Sequence, residues 1–90
     1  MGLNKNIVLT ESVLGTEIDN ETILLDMESE NYFGFDSVGS DIWRLLKEGK
    51  TLKQTYDALL EIYEVEPEVL KKDLLEFVGQ LEKNGLINVS

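Results

Sequence analysis

The 90-residue chain has no cysteine and no histidine, one proline and one arginine, Arg44. Without cysteine there is no disulfide scaffold and no thiol nucleophile. Without either residue type there is no zinc site built on Cys or His and no imidazole acid/base pair. Hydroxyl nucleophiles remain, but they need an activating base within reach, and only lysines and carboxylates are left to act as one. The sequence therefore reads as a non-catalytic protein with no metal and no cofactor.

Long apolar runs are missing too. No stretch approaches the ~18–20 consecutive apolar residues of a membrane span, and the amino terminus lacks the basic-then-apolar pattern of a secretory signal. A cytoplasmic location with no membrane span is expected. Positive charge is scarce, with 8 Lys+Arg against 18 Asp+Glu and a formal net charge of −10. Such a surface repels a phosphate backbone, whose neutralisation supplies most nonspecific nucleic-acid affinity, so nucleic acid is not an expected partner. The acidity is concentrated at the front: residues 1–36 hold eight acids against Lys5, whereas residues 37–90 hold ten acids against seven bases.

What is present is the composition of a folded domain, 42% hydrophobic and 29% charged, in a length that suits one module, 1–90. The first third has strand character over Ile7–Thr10 and Thr22–Leu25, with a hairpin turn at Asp19-Asn20. After a second turn at Glu28-Ser29-Glu30, Asn31-Tyr32-Phe33-Gly34-Phe35 alternates, placing Phe33 and Phe35 on one face and Tyr32 on the other. A three-stranded antiparallel sheet over about 7–35 follows. From Ser37 the period becomes helical. Val38, Ile42, Leu45 and Leu46 define a first helix over about 37–48, stopped by Gly49. Thr51 with Gln54 forms a capping box for a second helix over about 51–65. Pro67 opens a third over about 67–84, with Leu70, Leu74, Phe77 and Leu81 on one face. Leu86-Ile87-Asn88-Val89 is left as a short terminal strand. The class is α+β.

Candidate chemistry is thin. Asp26, Glu28, Glu30 and Asp36 do not fit a calcium loop, which needs fixed ligand offsets between two helices. Carboxylate pairs such as Asp57 and Glu61 fall on outward helix faces, with no burial to shift them. Helices joined at Glu48–Thr51, followed by a third, resemble a winged helix-turn-helix, but the second offers only Lys53 against three acids and no arginine for guanine readout. A winged-helix transcription regulator is thus the weaker alternative.

The more promising feature is the strand Asn31–Phe35, which ends the meander as an open edge. On the third helix Leu74, Phe77 and Leu81 lie within ~40° of Leu70, while Val78 and Leu75 fall at ~80° and ~140° with Lys71 between them. An open edge beside such a face suits β-augmentation by an extended peptide. Equally, Leu75 and Val78 could simply cover the sheet.

Leu24-Leu25-Asp26, Tyr32, Phe35-Asp36, Gly39, Ile42-Trp43 and Leu45-Leu46, in this order and spacing, resemble the signature of the PqqD-like family. The likeness continues through Thr51, Leu59, Tyr63, Asp73, Phe77 and Leu81 to Gly85-Leu86-Ile87, about residues 22–87. Phe35 and Asp36 stand where leucine and asparagine are usual, and Asp36 still serves as a helix N-cap. The resemblance implies a precursor-peptide recognition element with a winged-helix fold. Such elements bind the leader of a ribosomal precursor peptide as an added strand beside the third strand, against the third helix. Carried over, it assigns leader binding to Asn31, Tyr32, Phe33 and Gly34 on the strand side and to Lys71, Leu75, Val78 and Glu82 on the helix side. A free-standing copy of this length looks most like the recognition protein of lasso-peptide pathways. Its implied partners are the precursor peptide and a maturation enzyme, a cysteine leader peptidase or alternatively a radical-SAM enzyme.

Overall fold

The computed structural model describes Leu3 and residues 5–90. Four strands, β1 (Ile7–Leu9), β2 (Val13–Ile18), β3 (Glu21–Asp26) and β4 (Tyr32–Phe35), precede the helices α1 (Ser37–Lys47), α2 (Leu52–Ile62) and α3 (Pro67–Lys83). A fifth strand, β5 (Ile87–Val89), follows them. The α+β class is the one expected, but the membership of the sheet is different. The three-stranded antiparallel sheet is β2-β3-β4, so it begins at Val13. Ile7–Leu9 lies outside it and pairs with β5, Ile7 opposite Val89 and Leu9 opposite Ile87. The reason lies in the turn. Asp19 and Asn20 both have positive φ, 51° and 66°, and such a two-residue turn joins strands that are continuous with it. Ile18 therefore pairs with Glu21, and the ladder runs back to Val13 opposite Asp26. Gly15 and Glu17 hide the apolar alternation of β2.

β3 buries Thr22, Leu24 and Asp26 on the face toward the helices. Across the ladder, Phe35 and Phe33 sit opposite Thr22 and Leu24 and share that face, whereas Tyr32 is 72% exposed on the other. The Thr22 hydroxyl is buried without a hydrogen-bond partner among the described residues.

Asp26 closes the link from β3 to β4. Its Oδ1 accepts from the Glu28 backbone N–H at 3.0 Å and from the Ser12 hydroxyl at 3.1 Å. The Glu28 bond, ahead of burial which opposes it, holds this carboxyl below the usual range. Glu30 completes the turn at φ 62°.

The helix ends follow their capping chemistry. Asp36 caps α1 by accepting from the Gly39 N–H, and Thr51 with Gln54 forms a reciprocal capping box on α2. Pro67 opens α3, and Gly49 and Gly85 take φ of 89° and 75° after α1 and α3. The core joins Leu24 to Ile42, Trp43 and Leu46 of α1, Leu52 and Leu59 of α2, Leu70, Leu74, Val78 and Leu81 of α3, and Leu86 and Ile87.

Tyr63, at the end of α2, donates its hydroxyl to Asp41 of α1. That hydrogen bond first, then burial and the Asp41 charge, push its pKa up to about 12. A raised folded-state value means that the stabilisation is complete below the unfolded value near 10 and is lost as pH rises toward 12. Melting temperature should therefore fall between pH 10 and 12, and Tyr63→Phe should flatten that fall in a thermal-denaturation series.

Candidate functional site

Among the described residues β4 has a neighbour on one side only. The backbone hydrogen bonds show which groups face the open side. The Asp26 N–H donates to the Asn31 carbonyl at 3.0 Å, and the Met27 N–H donates to the Ser12 carbonyl at 2.9 Å. In an antiparallel ladder bonded and non-bonded pairs alternate. Pairs 26/31, 24/33 and 22/35 are thus the bonded ones on this side. The N–H and C=O groups of Tyr32 and Gly34 are consequently directed away from β3, toward the open edge.

Beside that edge is a cleft of about 610 Å³. Its first wall is β4, with Tyr32, Phe33, Gly34 and Phe35. Asp36, Val38, Gly39 and Ile42 continue it at the start of α1. The second wall is α3, with Asp73, Phe77, Gln80 and Leu81, extended by Asn84 and Leu86. The walls meet at a half-buried aromatic pair. Phe35 and Phe77 pack edge to face with centroids 5.0 Å apart, and Trp43 backs Phe35 at 6.2 Å.

Gly39 permits this closure. A Cβ there would lie 3.0 Å from the Phe35 Cβ and 3.1 Å from Phe77 Cε2, closer than carbon atoms pack. Gly39→Ala should push the two rings apart and cost ~1–3 kcal/mol by overpacking. Urea unfolding would measure the loss, and a smaller effect would mean that the rings give way freely.

Of the residues assigned from sequence, the structure gathers Tyr32, Phe33 and Gly34 at the cleft. Asn31 directly precedes β4, and its carbonyl is engaged by Asp26 rather than left on the edge. The helix side differs. Val78 is completely buried, a core residue rather than a groove residue, and Lys71, Leu75 and Glu82 are absent from the cleft lining. Leu75 instead packs half-buried against the core. The physical reason is the rotation of α3. Its buried residues Leu70, Leu74, Val78 and Leu81 span ~0° to ~80° on the helical wheel, so the core is centred near ~40°. Lys71, Val78, Glu82 and Leu75 run from ~80° to ~140° on one flank. Phe77, Asn84, Asp73 and Gln80 lie at about −20° to −80° on the other, and that flank faces β4. Apolar periodicity could have found Phe77, but nothing in the sequence says which flank meets the sheet edge.

The chemistry of the site is that of binding. The cleft joins unpaired backbone donors and acceptors, an aromatic floor and a few carboxylate and amide groups on its rim. Among the described residues there is no group of three or more metal-ligating side chains, and no helix is long and apolar enough to cross a membrane.

Similarity to known proteins fits this geometry. The solved structure described as "TbiB1 in Complex with the TbiA(beta) Leader Peptide" is 36% identical over 90% of this chain and 94% of that one, with a TM-score of 0.87. "Lasso peptide synthetase B1 complexed with the leader peptide" has the same fold, with a TM-score of 0.83 at 24% identity over 92% of this chain and 98% of that one. No curated protein matches the chain. The family described as coenzyme PQQ synthesis protein D (PqqD) matches residues 21–87, a span that contains β3, β4, all three helices and the whole cleft, and the chain belongs to that family.

Proposed function

We propose that the protein is a non-catalytic adaptor that binds the leader segment of a ribosomally made precursor peptide and delivers it to a maturation enzyme. The leader adds as a strand to the open edge of β4, with alternate side chains lying in the cleft against α3. The observation that carries this reading is the open Tyr32–Gly34 edge directly beside a cleft floored by Phe35 and Phe77. Backbone bonds to an edge give affinity without regard to sequence, and the pockets beside it give choice. The leader-bound state of TbiB1, the 36%-identical relative, supports the peptide class; the enzyme in this reading is a lasso-peptide leader peptidase, with a radical-SAM enzyme as the alternative. In this reading the strand side is Tyr32, Phe33 and Gly34. The helix side is Phe77 with Asp73, Gln80 and Asn84, in place of Lys71, Leu75, Val78 and Glu82.

A heteronuclear NMR titration tests it, using leader peptides from precursor genes beside the chain's own together with the TbiA(beta) leader. Amide shifts concentrated in residues 32–36 and 73–84 are expected. Saturable binding whose shifts centre elsewhere would overturn the assignment. A dominant effect at β2, the other open edge of the same sheet, would transfer the site there.

A further inference from the structure

The cleft is one-sided in charge. Its charged lining residues are both acids, Asp36 on one wall and Asp73 on the other. Asp36 is partly committed, because its Oδ1 accepts from the Gly39 N–H at 2.9 Å. Asp73 is exposed and takes part in no ion pair among the described residues. No lysine or arginine lines the cleft, so nothing in its walls neutralises Asp73.

The spacing adds to the charge. Asp73 and Phe77 are one helical turn apart, ~6 Å along α3. Two residues of an extended strand advance ~6.7 Å and bring side chains to the same face. A strand laid along α3 therefore presents one side chain to Phe77 and the next one on that face to Asp73.

Resting on the leader-binding reading, we infer that the segment held in the cleft carries a lysine or arginine two residues from an apolar anchor. The anchor packs on Phe35 and Phe77, and the cation pairs with Asp73. Asp73 is thus a specificity residue, selecting basic leaders and rejecting acidic ones. With a formal net charge of −10, the protein as a whole also repels an acidic segment before contact.

The test is a displayed library of random short peptides selected on the full chain, discarding peptides that bind a Gly34→Pro variant equally well, so that only edge binders count. Lysine or arginine should be enriched two positions from an apolar residue. In a resynthesised binder, exchanging the cation for glutamate should weaken binding ~5-fold, with less effect in high salt. Selection on Asp73→Lys should enrich acids at the same position. Indistinguishable profiles from wild type and Asp73→Lys would overturn the inference while leaving edge binding intact. If no peptide distinguished wild type from Gly34→Pro, the leader-binding reading would fail, and this inference with it.

Discussion

Replacing Gly34 with proline is expected to weaken leader binding ~30-fold while the chain stays folded. The Gly34 N–H points to the open edge rather than to β3, so its loss removes no bond from the ladder. Among the described residues, a Cβ at this position meets no atom within 4 Å beyond its chain neighbours. Proline is tolerated on an edge strand where its missing N–H faces outward, at a small cost for fixing φ. An added strand, however, loses a hydrogen-bond donor and meets the ring, leaving a desolvated carbonyl unpaired at a cost of ~1–3 kcal/mol. Gly34→Ala keeps the N–H and should bind within about two-fold of wild type, as an exposed substitution with no neighbours does. Isothermal titration of the three proteins, with circular dichroism melts beside it, separates affinity from stability. Equal affinity for Gly34→Pro and Gly34→Ala would mean that the β4 edge is not used.

Trp43→Ala is the substitution with the largest expected effect on stability. Trp43 is 5% exposed, packs against Phe35, and lies 3.5 Å from where a Cβ on Gly15 would sit. It joins α1 to the inner face of the sheet. Removing the indole leaves a cavity costing ~3–5 kcal/mol, a large share of the ~5–10 kcal/mol that a domain of this size possesses. Melting should drop by ~15–25 °C, and Phe35, losing its support, should no longer hold the cleft floor. Trp43→Phe should recover most of the loss. A drop of a few degrees for Trp43→Ala would mean that the sheet and α1 are held together elsewhere.

The helices were readable because their signals are local. A cap, a stripe and a stop lie within one or two turns, and Asp36, Thr51 with Gln54, and Pro67 all act as their positions suggest. The hairpin turn at Asp19-Asn20 was equally local. The pairing of Ile7–Leu9 with β5 was not, because it joins the two ends of the sequence and leaves no periodic trace in either. The site divided in the same way. The β4 edge follows from strand order, and strand order follows from two short turns. Which flank of α3 faces that edge is fixed by how the helix rolls on the core, through Val78 and Leu81, and a wheel drawn from Leu70 alone cannot show it. The stability of the core and the orientation of the binding wall are thus set by the same four α3 residues.

The central claim, that an extended segment joins the sheet at β4, is tested most directly by amide hydrogen exchange with and without a bound leader. In the free protein the Tyr32 and Gly34 amides should exchange quickly, being turned toward solvent, while the Phe33 amide, bonded to β3, is protected. With leader bound, Tyr32 and Gly34 should slow by an order of magnitude or more and Phe33 should change little. Saturated binding that leaves the Tyr32 and Gly34 amides exchanging at their free rates would contradict strand addition.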